Sequence, residues 1–327
     1  MGNSNVDQYA LSSNLAKWNQ TGIAGYVALG STGERVHLDE REYLEVIETA
    51  RAEVPNGPDG LAFIVGAGQQ STHATINEIR KAADAGADAV LVITPHYYRS
   101  SITQDALIAH YTSVADAAPV PVILYSMPAL TGITIEPATV ARLSRHPNII
   151  GVKDSSADIE GFKRTVELVR GGASSGLAED SSQSIGSAEA SSSREDFAVL
   201  TGNGTVLYDT LCAGADGAIL AVGCVAPRLC IEIFKAVKAN EQERAKALQE
   251  KLTPLARAVT TTYGIGGLKA ALDMIGYVGG AVRAPLRAPD EAGRQEIARV
   301  LVEAQAALEN SMETTDVAVA MSESTPK

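Results

Sequence analysis

This chain of 327 residues is short of several things at once. It has no apolar run near the ~20 residues that a bilayer-spanning helix needs, so a membrane protein is not expected. No basic segment followed by an apolar stretch opens the chain, which argues against a secretory signal. Three cysteines (Cys212, Cys224 and Cys230) form no CxxC pair and suit a reducing compartment. The five histidines (His37, His73, His96, His110 and His146) are scattered without an HxH or HxxxH spacing, so no metal site is expected. Basic residues are outnumbered, 27 against 39 acids, and the net charge of −12 argues against a nucleic-acid partner. Aromatics are 5% of the chain, which leaves an aliphatic core built from Ala, Val, Ile and Leu.

What is present is an alternation of short β-rich runs with amphipathic helices. The pattern predicts strands at Gly25–Leu29, Leu61–Val65, Ala89–Thr94, Val120–Tyr125, Ile149–Lys153, Phe197–Thr201 and Gly217–Ala221. Runs such as Ala89-Val-Leu-Val-Ile93 are apolar on both faces, as parallel strands covered by helices must be. Helices are predicted at Tyr9–Trp18, Glu40–Ala52, Thr72–Ala85, Gln104–Ala117, Pro137–Arg145 and Ile159–Val169. Asp39 is placed to cap the second of these, with Glu42 completing a capping box. In Asp84–Val90 and Cys212–Leu220 a Gly ends a helix just before a strand. Repeated β-α units imply a parallel sheet, doubly wound or closed, and the missing GxGxxG lowers the dinucleotide-binding option.

The expected organisation is therefore a (β/α) barrel over 1–226 followed by C-terminal helices over 227–310, at Leu229–Ala239, Glu241–Thr262, Leu268–Ile275 and Glu291–Glu309. A Ser-, Ala- and Gly-rich insertion at 171–196 and a tail at 311–327 are too poor in apolar residues to be expected to order. Only seven strands are readable, so an eight-stranded closed barrel would lack its first strand. An open seam would then lie between the strands at Gly25–Leu29 and Gly217–Ala221, whose exposed edges invite pairing with another chain.

Three segments can carry chemistry. In Asn148-Ile-Ile-Gly-Val-Lys153-Asp154 the strand period of two puts Ile149, Gly151 and Lys153 on one face and Ile150 and Val152 on the other. If the second face packs on helices, Lys153 points inward, is desolvated, and becomes the neutral amine that Schiff-base formation requires. The same position also fits a strand-end lysine that reaches solvent or pairs with a carboxylate. Tyr125 ends its strand at the C-terminal rim, where barrels place their chemistry, and a phenol there can move protons. The loop Gly30-Ser-Thr-Gly-Glu34 follows a strand with small residues and two hydroxyls, a nest for a carboxylate or a phosphate. No GK[ST] follows it, so it is not a P-loop.

Four motifs, in order, carry a family resemblance: Gly30-Ser-Thr-Gly-Glu34, Val92-Ile-Thr-Pro-His-Tyr-Tyr98, Tyr125-Ser-Met-Pro128 and Gly151-Val-Lys-Asp-Ser155. From about Val6 to Ala307 the chain resembles the dihydrodipicolinate synthase / N-acetylneuraminate lyase family of class I, Schiff-base (β/α)8 enzymes. The resemblance implies that Lys153 forms the Schiff base with pyruvate and that Tyr125 is the general acid/base. It implies that Ser31 and Thr32 hold the keto-acid carboxylate and join a proton relay, with Gly33 in the same loop. Tyr97 would complete the relay across a tight dimer interface, within a homo-oligomer that is a dimer of dimers. Gly202 and Ile219 would line the pyruvate pocket. No cofactor, metal, nucleic acid or membrane is implied; the partners are pyruvate and small oxo-acid or aldehyde substrates.

Departures from the family pattern select among its members. Dihydrodipicolinate synthases carry an arginine after the Tyr-x-x-Pro motif that grips the aldehyde's carboxylate, and here that place holds Leu130. The run Tyr263–Leu286 and the segments around Tyr97, Tyr125 and Lys153 are most similar to 4-hydroxy-2-oxoglutarate aldolases, in which Ser155 would contact the second substrate. The expectation is thus a lyase cleaving a 4-hydroxy-2-oxo acid to pyruvate and an aldehyde such as glyoxylate. The alternatives are 4-hydroxy-tetrahydrodipicolinate synthase, a 2-keto-3-deoxy-sugar-acid aldolase, or a catalytically impaired barrel acting as an assembly partner. A cytoplasmic location is expected, or a mitochondrial one if an N-terminal segment precedes this chain.

Overall fold

The computed structural model describes residues 5–57, 60–171 and 196–323, with side chains described as far as residue 309. Most of the expected insertion at 171–196, and the last four residues of the expected tail, lie outside the described residues.

Elements alternate as the apolar pattern predicts. In chain order they are α1 (Gln8–Trp18), β1 (Gly25–Ala28), α2 (Glu40–Glu53), β2 (Ala62–Ala67), α3 (Thr72–Asp84), β3 (Ala89–Ile93) and α4 (Gln104–Ala117). Next come β4 (Val122–Ser126), α5 (Pro128–Thr131), α6 (Pro137–Leu143), β5 (Ile149–Asp154), α7 (Ile159–Arg170), β6 (Ala198–Thr201), α8 (Leu207–Cys212) and β7 (Gly217–Ala218). The remainder is helical: α9 (Pro227–Lys238), α10 (Gln242–Arg257), α11 (Gly264–Met274) and α12 (Glu291–Glu323). Among the described residues no helix is long and apolar enough to cross a membrane.

All strand pairs are parallel, and the sheet runs in the order β1-β2-β3-β4-β5-β6-β7, with β1 and β7 at its ends. Such a sheet curls into a barrel wall with its helices outside. Central strands such as β3 and β4 have two apolar faces because each is covered twice. Ala89, Leu91, Ile123 and Tyr125 form an inner cluster, with Val27, Ile64 and Ile93 packed on it. Val90, Val92, Val122, Leu124 and Val152 belong to the larger core beneath the helices.

Local chemistry sets the boundaries. Asp39 caps α2 by accepting from the Glu42 N–H (2.8 Å), and the Glu42 carboxylate accepts from the Asp39 N–H (3.1 Å), the predicted capping box. Gly86 and Gly214 end α3 and α8 with φ of +95° and +100°, a region open to glycine without strain. The aspartates that follow repeat one device: Asp88 accepts from the Phe63 N–H at 2.8 Å and Asp216 from the Val199 N–H at 2.7 Å. Each therefore ties the start of its strand to the strand before it.

Several expectations shift. The strand expected at Gly217–Ala221 shortens to Gly217–Ala218, and its continuation turns into the bend at Val222–Cys224. Helix α5 forms where the pattern predicts a loop, whereas α8 is the helix predicted to end at the Gly of Cys212–Leu220. The helix expected at Glu241–Thr262 is α10 followed by a wide π-type turn over Ala258–Thr262. Helix α12 passes the expected end at Glu309 and reaches Glu323 across much of the expected tail, where neither Gly nor Pro interrupts it. Finally, Ile150 lies on the inner cluster rather than under the helices. A bulge between Val122 and Ile123 shifts the register so that Val122 faces Ile149 and Ile123 faces Gly151, which breaks the simple period of two.

Candidate active site

The register that follows the bulge brings two chemical side chains level: Tyr125 of β4 is the direct neighbour of Lys153 of β5. Both are buried, at 3% and 8% exposure, so Lys153 does not reach solvent. Its Nζ sits 4.4 Å from the centre of the Tyr125 ring. Burial away from water disfavours the ammonium form and pulls the Lys153 pKa below its ordinary value, only partly opposed by the neighbouring phenol. The inward, desolvated amine is what the structure selects from the two readings left open by the sequence.

The phenol is held in turn. Its oxygen lies 2.9 Å from Ser31 Oγ, in the loop after β1. The hydroxyl that touches Tyr125 is therefore that of Ser31; among the described residues Thr32 makes no side-chain hydrogen bond. Leu29, which leads into this loop, has a positive φ of 58° and is buried. Its carbonyl presses on Gly66 of β2 so closely that a Cβ there would stand 2.1 Å from the oxygen. The Gly33 N–H is already bonded to the Gly30 carbonyl (3.0 Å), so Gly33 has no amide left for a ligand. The amides of Ser31 and Thr32, at the start of their short helical turn, have no partner within it. A carboxylate would meet these two amides and the hydroxyls above them.

The opposite wall comes from β5 and β6. Gly202 packs so tightly that an added Cβ would lie 1.9 Å from Ser155 Oγ and 2.7 Å from Lys153 Cε. Ser155 is buried and its hydroxyl has no partner among the described residues. An unsatisfied buried hydroxyl costs about 1–3 kcal/mol, and a substrate oxygen is the kind of group that satisfies it. The Gly202 and Ile219 amides are spent on the carbonyls of Asp154 (2.6 Å) and Thr201 (2.9 Å), so any contact from these two falls to their own carbonyls.

Tyr97 is not brought to Tyr125 within this chain. It is 75% exposed, its ring lies edge-on to Tyr98 at 5.1 Å, and its N–H is fixed by Gln70 Oε1 at 2.8 Å. Leu130 is exposed at the rim after α5 begins. Cys224, a thiol close enough to Lys153 for the two titrations to influence each other, is a site neighbour that the sequence did not reveal, since its pattern places it only in a turn. Burial pushes its thiol up to about 11, so it stays protonated and is no nucleophile at neutral pH. The arrangement is a buried amine with a lowered pKa, a phenol–hydroxyl pair and an anion-accepting loop, the equipment of a carbonyl-condensing lysine enzyme.

Comparisons with known proteins agree. Residues 2–175 and 178–304 match the dihydrodipicolinate synthetase family, and the chain belongs to that family. A 4-hydroxy-tetrahydrodipicolinate synthase from Methanoculleus marisnigri is 33% identical over 91% of this chain and 92% of its own. Dihydrodipicolinate synthase from Thermotoga maritima superposes with a TM-score of 0.80 at 29% identity, covering 93% of this chain and 95% of the other. The enzyme from Acinetobacter baumannii, solved with pyruvate, gives 0.79 at 28% identity, covering 92% and 93%. The chain is thus an enzyme of the Schiff-base-forming lyase class.

Proposed function

We propose that this enzyme makes or breaks a carbon–carbon bond next to pyruvate held as a Schiff base on Lys153. The observation that carries the reading is the buried, neutral-leaning Lys153 amine level with Tyr125, whose phenol is bonded to Ser31. In the condensing direction Nζ attacks the C2 ketone of pyruvate, and the carbinolamine loses water to give an iminium. Loss of a C3 proton yields an enamine, whose C3 attacks an aldehyde carbon. The new alkoxide takes a proton, and water releases the product from Lys153. Cleavage is the same sequence in reverse, with the phenol accepting the C4-hydroxyl proton as the C3–C4 bond breaks. The loop at Ser31 and Thr32 holds the pyruvate carboxylate.

For the second substrate, the relatives named as 4-hydroxy-tetrahydrodipicolinate synthases support condensation with aspartate semialdehyde. A specific observation favours a second reading, cleavage of 4-hydroxy-2-oxoglutarate to pyruvate and glyoxylate. Position 130 is an exposed leucine, which offers an aldehyde's carboxylate no bidentate contact. A cation on this rim is Arg99, stretched over Gly132 so that a Cβ there would stand 2.8 Å from Nη1. It can meet the carboxylate of either substrate. Tyr97, left in the open by one chain, enters the relay when two copies pair.

Borohydride reduction in the presence of pyruvate should leave a covalent adduct on Lys153 by mass spectrometry, and an unmodified lysine refutes the mechanism. Pyruvate release from 4-hydroxy-2-oxoglutarate, measured against pyruvate consumption with aspartate semialdehyde, separates the two readings. An active monomer in size-exclusion with light scattering would remove the role given to Tyr97.

A further inference from the structure

The loop that receives the pyruvate carboxylate is followed at once by an acid. Glu34 succeeds Gly33, is 8% exposed, and holds a left-handed backbone (φ 55°), a conformation uncommon for a residue with a side chain. An uncompensated carboxylate here would repel the anion held three residues earlier. It is met instead by α11 and the segment that follows it: Lys269 Nζ of α11 lies 2.6 Å from Glu34 Oε2, and the Arg283 N–H donates to Oε1 at 3.1 Å. Lys269 is itself fixed by donating to the Ala281 carbonyl at 2.7 Å. Arg283 is anchored by a two-pronged contact to Glu42 (2.6 and 2.7 Å) and by the His37 carbonyl at 2.7 Å. His37 Nδ1, 3.8 Å from Glu34 Oε1, is the other titratable group facing the acid.

We infer that Lys269 is a positioning residue for pyruvate capture: it cancels the Glu34 charge beside the carboxylate-holding loop and locks that loop to α11. The inference rests on the Schiff-base reading above. Lys269 touches no reacting atom, so its effect falls on pyruvate affinity and not on the chemical step. A like charge some 6–8 Å from an anion, at an effective dielectric near 20, weakens binding on the order of 10- to 100-fold.

The test measures Lys153 trapping by borohydride against pyruvate concentration in the full chain. Lys269→Met should raise the half-saturating pyruvate concentration roughly 10- to 100-fold while leaving the trapping rate at saturation near wild type. The double variant Glu34→Gln/Lys269→Met removes the stranded charge and should return half-saturation to within about threefold of wild type, as should Lys269→Arg, which keeps the pair. A merely structural role predicts the opposite, with the double variant no better than the single one. Half-saturation unchanged in Lys269→Met, or no recovery in the double variant, overturns the inference. Should Lys269→Met not fold, Glu34→Gln alone decides: it leaves an unopposed cation beside the loop and should lower half-saturation, and an unchanged or higher value overturns the inference. No adduct in the wild type is a separate result that refutes the Schiff-base reading itself, and the inference with it.

Discussion

Replacing Gly202 by alanine probes the packing on which the site depends. The new Cβ would stand 1.9 Å from Ser155 Oγ and 2.7 Å from Lys153 Cε, where ordinary contact begins near 3.4 Å. Ser155 would have to retreat by about 1.5 Å and the lysine arm by about 0.7 Å, or the β6 end must move away from β5. Overpacking of this size costs about 1–3 kcal/mol of stability, which a large domain of this length survives. A reacting group displaced by about 1 Å costs roughly 10²-fold in rate. The expected outcome is a folded protein, melting a few degrees lower, whose rate of pyruvate trapping on Lys153 drops roughly 100-fold. Mass spectrometry of the borohydride-reduced protein reads the rate, and a thermal melt reads the fold. A folded Gly202→Ala variant that traps pyruvate at the wild-type rate would refute the argument that this glycine sets the position of Lys153.

Tyr125→Phe keeps the ring against Lys153 but removes the phenol; turnover should fall by roughly 10²–10⁴ with pyruvate half-saturation little changed, as steady-state kinetics will read. Lys153→Met removes a buried amine with a depressed pKa, so it should abolish trapping yet raise the melting temperature. For the wild type the sign is that the unfolded lysine binds more protons below its ordinary value of 10.5. The cost of burying Lys153 is thus full below its folded pKa and is relieved as pH rises toward 10.5, and Schiff-base formation accelerates over the approach to that folded pKa. A rate that does not rise with pH anywhere below 10.5 would contradict this. Glu42 behaves oppositely: the paired Arg283 guanidinium lowers its carboxyl to about 2, so its contribution is full above the ordinary 4.5 and is lost as pH falls toward 2. Arg283→Ala should cost about 2–3 kcal/mol at pH 7, from charged hydrogen bonds removed, and should flatten the acid side of the melting curve.

Much of this protein is legible in one dimension because the relevant physics is local. Two-faced apolar strands such as Ala89–Ile93 announce a parallel sheet under helices, the Asp39–Glu42 box starts α2, and Gly86 and Gly214 end their helices. Lys153 and Tyr125 could be singled out as candidates from their places at strand ends, but position alone left a structural role open for each, and the four family motifs favoured chemistry. The sequence pattern could not decide the register between their strands, because the bulge at Val122/Ile123 is a property of two strands pairing and moves Ile150 inward. Nor could it decide which hydroxyl of the Ser31-Thr32 pair meets the phenol, or that the Gly33 amide is consumed by Gly30. The Glu34–Lys269 pair joins residues more than two hundred positions apart, and only the folding of α11 back onto the first loop brings them together. Periodicity and capping act over a few residues, whereas desolvation, charge cancellation and the space beside a glycine exist only once distant segments have packed.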